Sequence, residues 1–453
     1  MRRFWPRIRF SSGAEIVIIN PTISHNFPER KGCFVIRLLI IADDFTGALD
    51  TGVQLAKQGV PTRVTTDREA DLSEAGAGCD VLVVDSETRH LPPREAYQIV
   101  YGLTARAKAL SIPHIMKKTD SALRGNIGAE LSAVLDASKA AFLPFFPALP
   151  EMGRITVGGI HYIGETPVAQ SPFGQDPFEP VRSSSVPEII AGQTDLPVHV
   201  IGESQKVDLK CARGIAVFDA ESQDALARAA GDLARKNALS VMAGCAGLGG
   251  TLKDILSLNG ERPAMPPLSK GLLMLCGSVN PITRAQLLEA DRAGYAHIHL
   301  EPEEKLTEGF FETEAGLARI RQFQETLAHN PFLIIDANDE AEDNGPTRAC
   351  AQARGLSTDD LRVLISGALG LIMRQLMKGT IPGSLLITGG DTLMECMKRL
   401  GVSRMEPIGE LSAGVVYSRF QYEQKDYCVI SKSGGFGRET LLSDLKNDME
   451  QGR

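Results

Sequence analysis

Short strand-like runs alternate with amphipathic stretches from Val35 almost to the end of the chain, and nothing else in the sequence constrains its fold as strongly. Val35 to Ala42, Val60 to Thr65, Val81 to Asp85, Ile112 to Lys117 and Ala141 to Phe146 read as strands. Between them Leu49, Val53 and Ala56, and later Leu123, Ile127, Leu131 and Val134, recur at helical spacing. Strands separated by helices predict βαβ units around a mainly parallel sheet. The alternation pauses at Thr156 to Val168, where Tyr162-Ile163-Gly164-Glu165-Thr166-Pro167 predicts a hairpin turn, and in a loop carrying Pro167, Pro172, Pro177, Pro180 and Pro187. It resumes with strands expected at Leu272 to Cys276, Ala296 to Leu300, Phe332 to Asp336, Ser384 to Thr388 and Tyr427 to Ser431.

A chain of 453 residues exceeds one comfortable core, since domains run to roughly 100 to 200 residues. The expected fold class is α/β with two lobes, each a mainly parallel sheet flanked by helices, and an active site in the cleft between them. The expected boundaries are an extension at 1–35, a first lobe at 36–257, a linker at 258–270 rich in proline and polar residues, and a second lobe at 271–453. The extension begins MRRFWPRIRF, yet only Ile16 to Ile19 follows as an apolar block, short of the about 7 to 15 residues of a secretory signal. It is expected to be poorly ordered. No run approaches the roughly 20 apolar residues of a membrane span. The eight cysteines are scattered without a Cys-x-x-Cys pair, which fits reduced thiols in a cytoplasm. A net charge of −8 speaks against nonspecific nucleic-acid binding, which needs concentrated lysine and arginine. Acidic ligands must therefore be met locally.

Open α/β sheets gather their chemistry where strands end. The first predicted strand ends in Ile41-Ala42-Asp43-Asp44-Phe45-Thr46-Gly47. Asp44 or Thr46 has an ordinary use as a helix cap, worth about 0.5 to 2 kcal/mol, but a pair of acids also offers acceptors for hydroxyl groups and for a proton. The run Lys117-Lys118-Thr119-Asp120-Ser121-Ala122-Leu123-Arg124-Gly125 again follows an apolar stretch and is expected to open a helix capped by Asp120 or Ser121. Lysines, the Arg124 guanidinium and free amides would then converge on a carboxylate or phosphate; a solvated helix start is the plainer reading. Gly125 and Gly128 inside that helix would permit close backbone approach. Arg89, in the stretch that ends a third strand, is within reach of the same cleft. The loop from Pro172 to Pro187 is long enough to fold over the site, or to be a surface excursion.

In the second half, Leu385-Leu386-Ile387-Thr388-Gly389-Gly390-Asp391-Thr392 is a strand, a glycine turn and a helix start, with Asp391 or Thr392 placed to reach a Mg²⁺ ion or to cap the helix. Gly277-Ser278 is built similarly, and Ser431-Lys432-Ser433-Gly434-Gly435-Phe436-Gly437 is a third glycine turn. Three such turns at strand ends point to nucleotide phosphates. The Gly-x-x-x-x-Gly-Lys-Ser/Thr pattern of a P-loop is absent. Gly244-Cys245-Ala246-Gly247-Leu248-Gly249-Gly250-Thr251-Leu252 imitates a dinucleotide fingerprint but has Leu252 at the last glycine and no clear acidic partner about 20 residues on. It reads as close strand-to-helix packing. His297 and His299 face the same way on a strand, yet the sequence places no third ligand. A half-exposed strand face is the preferred reading, and no metal-ligand set is assigned.

These motifs, in this order, resemble the four-carbon acid sugar kinase family, with a likeness running from about Leu38 to Leu442. It is carried by Ile41 to Gly47, Lys117 to Gly125, Gly389 to Thr392 and Lys432 to Gly437. The resemblance implies an N-terminal lobe binding a small sugar acid, a C-terminal lobe binding ATP with Mg²⁺, and phosphorylation of the hydroxyl at C4. It implies that Asp44, Arg89, Lys117, Lys118, Thr119 and Asp120 contact the substrate, and that Ser278, Gly389, Gly390, Asp391, Thr392 and Gly434 contact ATP. The run Lys117 to Ser121 looks like the branch acting on D-threonate or D-erythronate rather than the 3-oxo-tetronate kinases. In-line transfer would use Asp44 or Asp120 as proton acceptor, the choice left open, while the lysines and Arg124 clamp the carboxylate. Two other classes stay in view: a nicotinamide-dependent sugar-acid oxidoreductase using the Gly244 segment, and a non-catalytic sugar-acid sensor. Neither nucleic acid nor membrane is an expected partner; self-association is left open.

Overall fold

The structure, a computed structural model, describes residues 36–451 apart from 177–178, 206–212, 263, 266, 341–344, 380 and 382. The expected extension at 1–35, including Cys33, and also Cys211 lie outside the described residues. In chain order the strands are β1 Leu38–Ala42, β2 Thr62–Thr65, β3 Val81–Asp85, β4 His114–Lys118, β5 Phe142–Phe146, β6 Arg154–Val157, β7 Ile160–Ile163, β8 Thr166–Pro167, β9 Val198–Ile201, β10 Gly214–Phe218, β11 Val241–Gly244, β12 Leu272–Cys276, β13 Ala296–His299, β14 Phe332–Asp336, β15 Ser384–Thr388, β16 Arg404–Ser412, β17 Val415–Tyr422 and β18 Lys425–Lys432.

All but β6 to β8 join one sheet, in the order β13-β14-β12-β15-β18-β17-β16-β2-β3-β1-β4-β11-β5-β10-β9. Two parallel blocks make up most of it, one on each side of the antiparallel strands β16 and β17. Where two separate sheets were expected, the chain builds a single one, because β16 pairs with β2 at Arg404↔Thr65 and Met405↔Val64. The sequence hid β16 and β17. Pro407 and Gly409 interrupt the first of them, and its pairing with β17 shifts register at both Pro407/Gly409 and Glu410/Ser412, as bulged strands do.

The two-sided burial expected of parallel strands is present. Leu38, Ile40 and Ala42 of β1 pack with Leu49 and Val53 of the helix Phe45–Ala56 on one face. Leu39 and Ile41 pack with Ile127, Leu131 and Val134 of the helix Ile127–Ser138 on the other. The hairpin read at Tyr162 to Pro167 forms between β7 and β8. The linker at 258–270 carries no helix or strand among its described residues, and no described helix is long and apolar enough to cross a membrane.

One local expectation is corrected. Lys117 to Gly125 does not open a helix; the helix begins at Ile127 after an Asn126 cap. Leu123 at φ 66° and Gly125 at φ 83° take left-handed backbone and break the turn. Arg124 and Gly125 therefore lie in an irregular segment. Gly128 keeps its predicted purpose: a side chain there would collide with the Ile190 carbonyl.

Candidate active site

Register sets the geometry. Ala42 at the end of β1 stands beside Asp85 of β3 and Lys118 of β4, so the residues that follow these three strands share one rim. Arg89 is the hub. Its Nε donates to Asp43 Oδ2 at 2.7 Å and its Nη2 to Asp44 Oδ1 at 2.6 Å, with Asp120 Oδ1 at 3.7 Å. Arg124 forks onto Asp120 from Nε at 2.9 Å and Nη2 at 3.1 Å. The amides of Ala122 and Arg124 each donate to Asp120 Oδ2 at 3.2 Å. Burial alone would raise the Asp120 carboxyl, but Arg124 and then Arg89 hold it well below the usual carboxylate range. Asp43 is likewise held far down against its burial by Arg89, Lys118 and Lys117.

Lys117 and Lys118 point to opposite faces, as neighbours on a strand must. Lys118 reaches the rim, its Nζ 3.6 Å from Asp43 Oδ1 and pressed against Gly47. Asp43 and Asp44 raise its pKa against the opposing pull of burial. Lys117 is fully buried on the other side. Its Nζ donates to the carbonyls of Ile41 at 3.2 Å and Lys118 at 2.6 Å and lies 3.1 Å from Glu130 Oε2. Glu130 also accepts from Thr88 Oγ1. The Thr119 hydroxyl is buried and has no partner among the described residues.

The small sheet β6-β7-β8 supplies Arg154, which donates to Ser121 Oγ. The Phe173 ring, in the proline-bearing loop, lies 5.3 Å from both the Arg124 and Arg154 guanidinium carbons, and Asp176 Oδ2 is 3.3 Å from Arg124 Nη1. The described part of that loop thus packs onto the arginines. Arg154 also lies over Phe436 at 5.5 Å, a residue of the glycine turn after β18.

A second rim forms in the other half. Cys276 of β12 stands beside Asp336 of β14 and Thr388 of β15, and Thr388 beside Lys432 of β18. The turns that follow touch one another: a side chain at Gly277 would strike Thr392 Oγ1, and one at Gly434 would strike Ser278 Oγ. Gly389 has φ 105°, a value reserved for glycine. Lys432 Nζ donates to Thr283 Oγ1 at 3.0 Å and to the carbonyls of Ser433 and Gly434 at 3.2 Å, and burial pushes its pKa down to about 8. Asp391 is the one carboxylate on these three turns, and it accepts from Arg362 Nη1 at 3.0 Å. Thr46 touches the turn at Gly390, where an added Cβ would lie 2.9 Å from its Oγ1.

The Gly244 segment packs tightly as read: a Cβ there would sit 2.7 Å from the Phe146 carbonyl. His297 and His299 do face one way, and the structure adds the third group the sequence did not place, Asp336, with ligand atoms of all three within 4.8 Å of one another. Hydrogen bonds already engage them. His297 Nδ1 lies 2.7 Å from Asp291 Oδ1 and its Nε2 3.4 Å from Asp336 Oδ2, while His299 Nδ1 lies 2.8 Å from the Asn338 carbonyl. Burial opposes the charge on His297, but Asp336 and Asp291 raise its pKa above 6.5. A raised folded-state value means that this clamp contributes fully below pH 6.5 and is lost as pH climbs through the folded value. The melting gap between the native chain and H297Q is therefore expected to be wider at pH 6 than at pH 9; an equal gap would show the charge to be idle.

Sequence reading singled out none of Glu130, Arg154 and Asp50, and gave Phe436 only as part of a glycine turn. Asp50 had a signal: it lies three residues after Gly47, on the helix face that carries the rim. Arg154 had none, because only the fold of β6 to β8 brings it back.

Two family models match the chain, a sugar-binding N-terminal domain over residues 38–252 and a nucleotide-binding C-terminal domain over 273–442. It is 30% identical over 427 residues to a D-threonate kinase of Salmonella typhimurium, covering 92% of this chain and 99% of that one. It is 29% identical over 399 residues to a D-erythronate kinase of Heliobacterium modesticaldum, covering 84% and 90%, and 28% identical over 420 residues to a 3-oxo-tetronate kinase of Methylobacterium radiotolerans, covering 88% and 95%. Among solved structures, a Salmonella typhimurium protein described as a putative tRNA synthase superposes with a TM-score of 0.75 at 22% identity over 91% of this chain and all of that one, a likeness of fold alone. The two rims and these matches define a phosphotransferase that uses ATP. The chain belongs to the four-carbon acid sugar kinase family.

Proposed function

We propose that this protein transfers the γ-phosphoryl group of MgATP to the C4 hydroxyl of D-threonate or D-erythronate. One observation carries the reading: a cationic rim after β1, β3 and β4 meets a rim of glycine turns after β12, β15 and β18, through Thr46 against Gly390 and Arg154 over Phe436. Residues 36–257 would hold the sugar acid, 258–270 link the halves, and 271–453 hold the nucleotide, with the active site in the cleft between them. On this reading Lys118, Arg124 and Arg89 receive the carboxylate, while Asp44, Asp120 and the unpartnered Thr119 hydroxyl meet the substrate's hydroxyl groups. Lys117 serves from beneath, holding the Lys118 carbonyl. Amides of Gly389, Gly390, Asp391, Thr392 and Gly434 with the Ser278 hydroxyl cradle the phosphates. Asp391, the carboxylate on these turns, would hold a nucleotide-bound Mg²⁺, which would neutralise phosphate charge.

A loose phosphoryl-transfer transition state asks mainly for alignment and charge neutralisation, and both rims supply them. Narrowing of the cleft would exclude water and prevent idle ATP hydrolysis. The run Lys117 to Ser121 favours the aldonates; the names of the relatives span D-threonate, D-erythronate and 3-oxo-tetronate. We place the protein in the cytoplasm, in keeping with six described cysteines that are all free. The deciding measurement is ADP release with MgATP across D-threonate, D-erythronate and 3-oxo-tetronate. Turnover with an aldonate is expected; preference for the oxo acid would move the assignment to that branch, and binding without ADP release would make the protein a sensor. Protection from thermal unfolding by NAD would favour the oxidoreductase.

A further inference from the structure

Both aspartates that the sequence offers as proton acceptors are spent on arginine, Asp44 on Arg89 and Asp120 on Arg124 and Arg89. Asp50 is different. It lies three residues beyond Gly47 on the helix Phe45–Ala56, on the face against which the Lys118 ammonium rests. Among the described residues no group donates a hydrogen bond to its carboxylate. The titratable groups around it are Lys118 at the end of β4, Arg154 on β6, Glu410 on β16, Asp44 at the cap of its own helix, and the Cys245 thiol after β11. Glu410 is itself engaged by Lys57 at 2.7 Å and the Gly414 amide at 2.8 Å. Burial first, then the Glu410 and Asp44 charges working against Lys118 and Arg154, pushes the Asp50 carboxyl up to about 6.

Position completes the case. The first turn of the same helix touches the glycine turn at Gly390 through Thr46, and Arg154, one of Asp50's cationic neighbours, lies over Phe436 of the turn after β18. Asp50 therefore lies one turn beyond Thr46 on the helix whose first turn meets the phosphate-binding turns, with Lys118 and Arg154 as its cationic neighbours, and no arginine donates a hydrogen bond to its carboxylate.

We propose that Asp50 is the catalytic base of the transfer, an assignment that rests on the kinase reading above. The acceptor O–H bond breaks, its oxygen bonds to the γ-phosphorus, and the bond to the leaving oxygen breaks with its electron pair staying on ADP. The proton passes to an Asp50 carboxylate oxygen and then to water. A base titrating near 6 is ionised at neutral pH yet remains a better acceptor than carboxylates held far lower.

D50N is expected to lose about 10²- to 10⁴-fold in kcat, to keep KM for the sugar acid within about threefold, and to lose the acid limb of the kcat–pH profile. D44N and D120N are expected to act mainly through KM. Nucleotide protection against thermal unfolding checks that D50N is folded. Should it not be, D50E decides on the same terms: reduced kcat with a displaced acid limb supports the assignment, and an unchanged limb overturns it. D50N with kcat within threefold of the native chain, or with its acid limb intact, overturns the assignment while leaving the kinase reading standing. No ADP release by the native chain with any four-carbon acid overturns both.

Discussion

Arg89→Ala should lower the melting temperature by roughly 5 to 10 °C and leave sugar-acid binding undetectable. The guanidinium is nine-tenths buried and faces Asp43, Asp44 and Asp120 together. Removing it leaves like charges crowded in a site that water barely enters, and breaking a buried pair by deleting one partner costs about 3 to 5 kcal/mol. In a chain this long the loss is best read as a melting shift. Arg89→Lys should recover little, since an ammonium cannot fork between Asp43 and Asp44. Adding Asp43→Asn to Arg89→Ala should restore part of the stability by removing one of the stranded charges. If the single variant melts within about 2 °C of the native chain, those carboxylates are hydrated and the buried cluster is not what the geometry makes it.

Gly47→Ala should behave in the opposite way, sparing the fold and removing function. A methyl group there would collide with Asp44 Oδ1 and Lys118 Nζ. Both are ends of side chains and can swing aside, and alanine favours a helix over glycine by about 1 kcal/mol, so melting should change little. The displaced atoms, however, are the cap that starts the helix and the ammonium assigned to the substrate. A fall of about 10- to 100-fold in kcat/KM for the sugar acid is expected, corresponding to about 1.4 to 2.8 kcal/mol of lost transition-state binding. Unchanged kcat/KM would mean that Lys118 does not touch the substrate.

The contrast between these variants shows what a linear reading can reach. Strand ends were legible because β1, β3, β12, β14 and β15 are short and apolar, and their polar successors stand out. The alternation also gave the parallel character of the two blocks, though not their strand order. What pairs with what across the rim was not legible. Lys117 and Lys118 look equivalent in the chain, and only strand alternation in a sheet covered on both faces sends one beneath and the other to the rim. The left-handed backbone at Leu123, which no apolar pattern signals, moved the helix start to Ile127 and put Arg124 in a loop. Asp50 was hidden for another reason: it stands in an ordinary helix, and its character comes from neighbours distant in sequence, Arg154 and Glu410.

The pairing of β2 with β16 has a mechanical meaning. Halves tied only by a flexible tether can swing freely; here they are also stitched by backbone hydrogen bonds, so any approach of one ligand toward the other must twist the ribbon formed by β16 and β17. Severing the chain within 258–270 would not release two independent proteins. Each fragment would be left with a raw strand border, β2 on one piece and β16 on the other, of the kind that recruits foreign strands and precipitates unless its natural neighbour returns to cover it.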